Sequence, residues 1–212
     1  MWNLKNGLYI EEEFTKNNIL NFTTTTLYGD LKLEKNRNEF LEKQFGIKNI
    51  VYGIQTHSDN IEIVSEKDVN NRFYAVDGFI TDKKNIPIAV FTADCLPVFI
   101  YDEIKKIIGI VHAGRLGLEK GIIGKSINIL KEKFNSKTKN ILVAVGPHIK
   151  KCCYNVDLQE IAKKQIIKTG MNRISFADVC THEDDFFSYR KDKTEKRMLS
   201  LIMIGGSGIN DR

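Results

Sequence analysis

The residues best suited to chemistry are a cysteine and a histidine set at the ends of two short apolar runs. Thr92-Ala93-Asp94-Cys95-Leu96-Pro97 leads into an apolar run over 98–101, and a second run over 107–111 leads out into His112-Ala113-Gly114. Apolar runs of about four to eight residues bounded by turn signals read as buried strands. If the two runs pair as neighbours, the residue before the first and the residue after the second reach the same sheet edge, and Cys95 meets His112. A thiolate beside an imidazole is either a nucleophile with its base or part of a zinc site. His57, in Gln55-Thr56-His57-Ser58-Asp59, ends another strand-like run and is a third donor in the same kind of position. One Cys and two His form a three-ligand zinc set that leaves a position for water or substrate, whereas closed structural sites use four protein ligands. Spacing alone equally allows satisfied core histidines and a buried free cysteine.

The elements that must position these residues follow from pattern. Strands are predicted over 8–14, 19–25, 49–55, 61–64, 98–101, 107–111 and 141–145, with further apolar segments over 77–81, 86–91, 174–176 and 198–204 and a loop over 66–72. Asp30 is placed to cap a helix over 31–45 that ends at Gly46. A second helix runs from the glycines Gly114 and Gly117 to about residue 134, with Ile122, Ile123, Ile127 and Leu130 on its apolar face. A third follows Asp157 and ends at Gly170. The residues after 204 are expected to fray.

Composition narrows the class. The 212 residues, 42% hydrophobic and 28% charged, suit one globular domain over 1–212 with a proper core. No apolar run is long enough to cross a bilayer, and the first residues lack a secretory pattern. The four cysteines, Cys95, Cys152, Cys153 and Cys180, show no disulfide framework, so reduced thiols and a cytoplasmic location are expected. The net charge is +5, but the lysines are scattered and mixed with acids, which argues against nucleic acid and suits a small anion such as phosphate.

Several motifs then occur in one order: Gln55-Thr56-His57, Asp77-Gly78-Phe79, Thr92 to Val98, Val111-His112-Ala113-Gly114, and Gly146-Pro147-His148 through Cys152-Cys153-Tyr154. Cys180-Thr181 precedes Phe186-Phe187-Ser188-Tyr189-Arg190. This series resembles the YfiH family of laccase-domain proteins, long called polyphenol oxidases and now understood as purine nucleoside phosphorylases with adenosine deaminase activity. The resemblance implies Zn2+ on His57, Cys95 and His112. It also implies a single α/β domain with a mixed β-sandwich-like centre flanked by helices. The implied reactions are phosphorolysis of adenosine, inosine, guanosine and methylthioadenosine, and deamination of adenosine. Asp94 is the candidate catalytic carboxylate. Arg115 and Arg190, with Arg37 as a further choice, are candidates for phosphate.

The chain departs from the family where anions would bind. The family's His-Ala-Gly-Trp-Arg-Gly is His112-Ala113-Gly114-Arg115-Leu116-Gly117 here, and an early family Arg corresponds to Thr25. A guanidinium shifted by one residue does not automatically point the same way. Three other readings compete. A Cys95–His112 nucleophilic hydrolase needs no metal, and a non-enzymatic family member would keep a zinc without turnover. A copper phenol oxidase would need more than the four histidines present. Cys152 and Cys153 cannot easily bridge each other, so a buried packing role is expected for them.

Overall fold

The apolar runs are continuous rather than alternating because the central strands are covered on both faces. In the computed structural model, which describes residues 1–183 and 185–206, the strands are β1 (Trp2–Lys5), β2 (Leu8–Glu11), β3 (Ile19–Thr24), β4 (Gly53–Ile54), β5 (Ile61–Ile63), β6 (Phe73–Tyr74), β7 (Gly78–Thr81), β8 (Ile88–Thr92), β9 (Leu96–Asp102), β10 (Ile107–Ala113), β11 (Ile141–Val145), β12 (Ile174–Phe176) and β13 (Met198–Ile204). The helices are α1 (Glu12–Lys16), α2 (Glu34–Phe45), α3 (Arg115–Glu119), α4 (Ile122–Phe134), α5 (Leu158–Lys168) and α6 (Tyr189–Asp192).

Two sheets carry the fold. One is five-stranded, in the order β1-β2-β3-β13-β8; the other is six-stranded, in the order β12-β11-β9-β10-β7-β5. They face each other across a core that includes Val90 and Ile202 from the first sheet and Phe79, Phe99, Tyr101 and Ile110 from the second. Successive side chains of a strand point to opposite faces. On β9, Phe99 and Tyr101 therefore enter this central layer, while Val98 and Ile100 join α4 and α5 through Ile127, Leu130 and Ile166. The far face of the five-stranded sheet packs Phe22, Leu199 and Leu201 against Phe40 and Leu41 of α2. The protein is thus a mixed α/β domain with a sandwich at its centre and helices on both outer faces.

Several predicted boundaries shift, each for a local reason. The strand expected over 8–14 ends at Glu11, because Glu12-Glu13-Phe14-Thr15-Lys16 forms α1 and swings Phe14 into the core. Asp30 does not cap α2; its Oδ1 accepts from Lys32 N and Arg197 N, forming a turn, and the helix starts at Glu34. Gly46 ends it in the left-handed conformation, as expected. Only Gly53–Ile54 of the stretch 49–55 pairs as a strand. The long helix after His112 is two helices, broken at Gly121 with φ 82°. Asp157 does cap α5, its side chain accepting from Glu160 N. The fraying expected after Ile204 falls mostly on residues outside those described.

Candidate metal centre and its pocket

Antiparallel pairing of β9 with β10 puts Pro97 opposite His112 and Leu96 opposite Ala113. Cys95 and His112 therefore reach the same sheet edge, as the spacing predicts. His57 joins them from the turn after β4. Its Nε2 lies 3.7 Å from Cys95 Sγ, and one donor atom from each of the three residues falls within 4.8 Å of the others. His112 is buried, Cys95 is partly exposed and His57 is open to the pocket.

Asp77 holds this geometry, and its role is not evident from the sequence. It immediately precedes β7, the neighbour of β10, with no exposed surface. Its carboxylate accepts from His112 Nδ1 at 2.7 Å, Ser58 Oγ at 2.7 Å, and the consecutive backbone N–H groups of Thr56, His57 and Ser58 at 3.1, 3.1 and 2.8 Å. Successive N–H groups converging on one anion form a nest. They also hold His57 at φ 58°, which a non-glycine residue adopts only under constraint. Burial alone would raise the Asp77 carboxyl, but hydrogen bonds from His112 and Ser58 outweigh it and hold it at about 2. An ionised Asp77 fixes the proton on His112 Nδ1 and leaves Nε2 free to ligate.

The Gln55 side chain bolts the same turn to β8, donating to Phe91 O and accepting from Phe91 N, both at 2.8 Å. Gly114 leaves room for the cluster, since a Cβ there would lie 2.4 Å from His57 Cδ2 and 3.0 Å from Cys95 Sγ.

Cys95 and His112 polarise each other. Burial opposes both charged forms. The charge and hydrogen bond of His112 nonetheless lower the thiol to about 6, while Cys95 and Asp77 raise the imidazole to about 9. A cluster of two imidazoles and a thiolate whose donors converge, with the second nitrogen of one imidazole locked by a carboxylate, fits a metal ion.

The cluster lies in a cavity of about 770 Å³. Its aromatic lining is Tyr52, Phe91, Tyr154 and Tyr189, and its cations are Lys32, Arg115, Arg190 and Arg197. Arg190 reaches it with its guanidinium 4.4 Å from the centre of the Tyr154 ring and Nη2 3.2 Å from Tyr154 Oη. Asp94 lines the cavity too, but both its oxygens are engaged, by Thr181 Oγ1 at 2.9 Å and Arg190 N at 2.7 Å. Asp94 also holds φ 89° beside Cys95.

The other candidates separate. Arg115 is exposed and pairs with Glu119 at 2.8 Å. Arg37 is buried outside the cavity, donating to Leu31 O and Lys32 O and packing on Tyr52, so it braces the α2 entry and does not face an anion. Thr25 bonds Gly7 O, and Leu116 lines the cavity with an apolar side chain. His148 is fully buried, with Nδ1 2.8 Å from Gly146 O. Lys32 and Arg197 are not evident from the sequence as pocket cations; each lies on a loop with no motif, and the Asp30 turn together with the bond from Leu31 N to Arg197 O brings the two segments together.

The family model described as multi-copper polyphenol oxidoreductase laccase matches residues 12–157 and 155–205, and the chain belongs to that family. Among individual proteins, it is 34% identical over 218 residues to a purine nucleoside phosphorylase of Clostridium acetobutylicum, with 89% of each chain covered. It is also 34% identical over 181 residues to a purine nucleoside phosphorylase of Aquifex aeolicus, covering 75% of this chain and 84% of that one. YlmD from Geobacillus stearothermophilus shares the fold at a TM-score of 0.89 and 23% identity, over 96% of this chain and 98% of that one. No helix among the described residues is long and apolar enough to cross a membrane.

Proposed function

We propose that this protein is a zinc-dependent purine nucleoside phosphorylase that also deaminates adenosine, acting in the cytoplasm as one domain over residues 1–212. Its substrates are adenosine, inosine, guanosine and methylthioadenosine, with phosphate as co-substrate. The observation that carries the reading is the convergence of His57, Cys95 and His112 in a cavity of about 770 Å³, in a chain 34% identical to a protein named purine nucleoside phosphorylase over 89% of both lengths.

His57 Nε2, Cys95 Sγ and His112 Nε2 hold the ion. Zinc held there supplies Lewis-acid polarisation near neutral pH. In phosphorolysis a phosphate oxygen forms a bond to ribose C1′ as the C1′–N9 bond breaks, and the purine leaves with the electron pair and takes up a proton. The anion needs fixed cationic donors, and Arg190 is the best placed: its guanidinium sits over the Tyr154 ring and its backbone N–H is fastened to Asp94. Lys32 and Arg197 add positive charge to the cavity wall. Tyr52, Phe91 and Tyr189 offer faces on which a purine can stack. Asp94, with both oxygens engaged, positions Arg190.

Incubation of the zinc-loaded protein with adenosine should give adenine and ribose 1-phosphate when phosphate is present, and inosine when it is absent. If chromatography finds neither adenine nor inosine, the proposal fails.

The line Asp77–His112–Cys95 favours a second reading, a nucleophilic hydrolase, because a carboxylate orients an imidazole next to a thiol of lowered pKa. Alkylation of Cys95 separates the two. The metal reading requires that zinc block the reagent, and the hydrolase reading requires that Cys95 react with zinc tightly bound.

A further inference from the structure

A second group of sulfur atoms lies in the loops beyond the pocket wall. Cys152 Sγ is 3.2 Å from Cys153 Sγ and 4.0 Å from Cys180 Sγ, and all three lie within 4.8 Å of one another. Cys152 and Cys153 sit in the turn after His148, and a bridge between His148 and Cys180 brings in the third thiol. The packing role expected for the adjacent pair holds in part: Cys153 is half-buried and packs against the core that contains the buried Cys180, while Cys152 is exposed. None of the three has a part in the reaction proposed above.

Three chemistries are open to such a group. A disulfide between neighbours in sequence is geometrically poor, and a bridge from Cys152 to Cys180 would have to close 4.0 Å to about 2 Å. Thiol reactivity needs access to solvent, yet Cys180 is buried and Cys153 half-buried, so only Cys152 is open to a reagent. A cation that replaces the thiol protons is the remaining choice. A three-sulfur set without nitrogen or oxygen donors selects a soft ion, in contrast to the borderline two-nitrogen, one-sulfur set at His57.

We propose that Cys152, Cys153 and Cys180 form a second metal site, a trithiolate for a soft monovalent ion, Cu(I). Each thiol gives its proton to solvent as it ligates, and the ion keeps its oxidation state. One Cu(I) with three thiolates carries a net charge of −2, which Lys150 and Lys151 offset from the same turn. The backbone N–H of Lys150 already donates to Cys180 Sγ at 3.3 Å. The site also joins two tethers of the pocket. Tyr154, next to Cys153, carries the Arg190 guanidinium, and Thr181, next to Cys180, donates to Asp94. Binding an ion would fix both segments.

The test is an anaerobic titration with Cu(I) against a colorimetric Cu(I) chelator, comparing the wild type with C152S and C152S/C153S/C180S. The wild type should retain one equivalent more than the triple variant, a difference that cancels any Cu(I) taken by Cys95. C152S replaces an exposed side chain and so leaves the core intact; it should hold the extra equivalent at least about tenfold more weakly. Cu(I) should also slow amide hydrogen exchange over 150–154 and 180–182 in the wild type alone. Equal Cu(I) retention by the wild type and the triple variant, or by the wild type and C152S, would overturn the proposal.

Discussion

The two sides of the pocket are built differently. On the metal side, Cys95 and His112 stand at the ends of two seven-residue strands buried along their whole length, and Asp77 ties both His112 and the His57 turn to β7. On the cationic side, Lys32 and Arg197 lie on loops, and Arg115 and Arg190 sit in the first turns of short helices. Strand ends held by a cross-strand ladder can fix a donor closely; exposed loops cannot. The metal side is therefore the part of the site the scaffold determines, and the cationic side is the part it holds less closely.

The sharpest way to break this contrast is Asp77→Ala. It strips a buried imidazole and three backbone N–H groups of their acceptor, and should cost about 3–5 kcal/mol of stability along with metal content. Urea denaturation and metal analysis read both; an unchanged unfolding midpoint would mean that the metal side is not held by this residue. A second effect belongs to the same scaffold. Burial lowers the His148 pKa to about 4, against about 6.5 when unfolded. The unfolded chain then binds more protons between these values. The stability is fully present above pH 6.5 and is lost as pH falls towards 4, by about 3 kcal/mol. His148→Gln should flatten that dependence in unfolding curves taken at pH 7 and pH 5.

The cationic side should respond in activity and not in stability. Arg190→Ala should leave the thermal melt unchanged and cost about 1.5–3 kcal/mol in kcat/KM for phosphorolysis, through loss of a charged hydrogen bond to phosphate. If adenosine deamination without phosphate falls equally, Arg190 does not hold the anion. Arg115→Ala should do least. Its ion pair with Glu119 is exposed, so the unfolding midpoint should not move, and kcat/KM should move less than for Arg190→Ala.

The same division governs what the sequence reveals. The pairing of 98–101 with 107–111, and with it the meeting of Cys95 and His112, is legible because burial on both faces leaves unbroken apolar runs. The α4 face is legible from its Ile and Leu spacing. Asp77 is hidden although it belongs to a quoted motif, because nothing local distinguishes a carboxylate that accepts from residues 20 positions earlier and 35 later. Phe14 misleads because it is apolar in a strand-like context, while the run Glu11-Glu12-Glu13 around it favours a helical turn. Asp30 misleads because an Asp just before a helical pattern reads as a cap, and its true partner, Arg197 N, is 167 residues away. Lys32 and Arg197 have no signal of their own; they share a pocket only once β13 is in place.

That strand has a consequence for how the protein comes to exist. β13 lies between β3 and β8 although it is formed by residues 198–204. As the chain leaves the ribosome, the five-stranded sheet stays split into two parts with bare inner edges until the thirteenth strand slides between them. Arg190, fastened to Asp94, is also among the late arrivals. The six-stranded sheet and its Cys95–His112 corner can assemble from earlier residues, so that corner precedes the Arg190 side of the cavity during synthesis. In that interval the unpaired edges of β3 and β8 are the surfaces most exposed to wrong pairing.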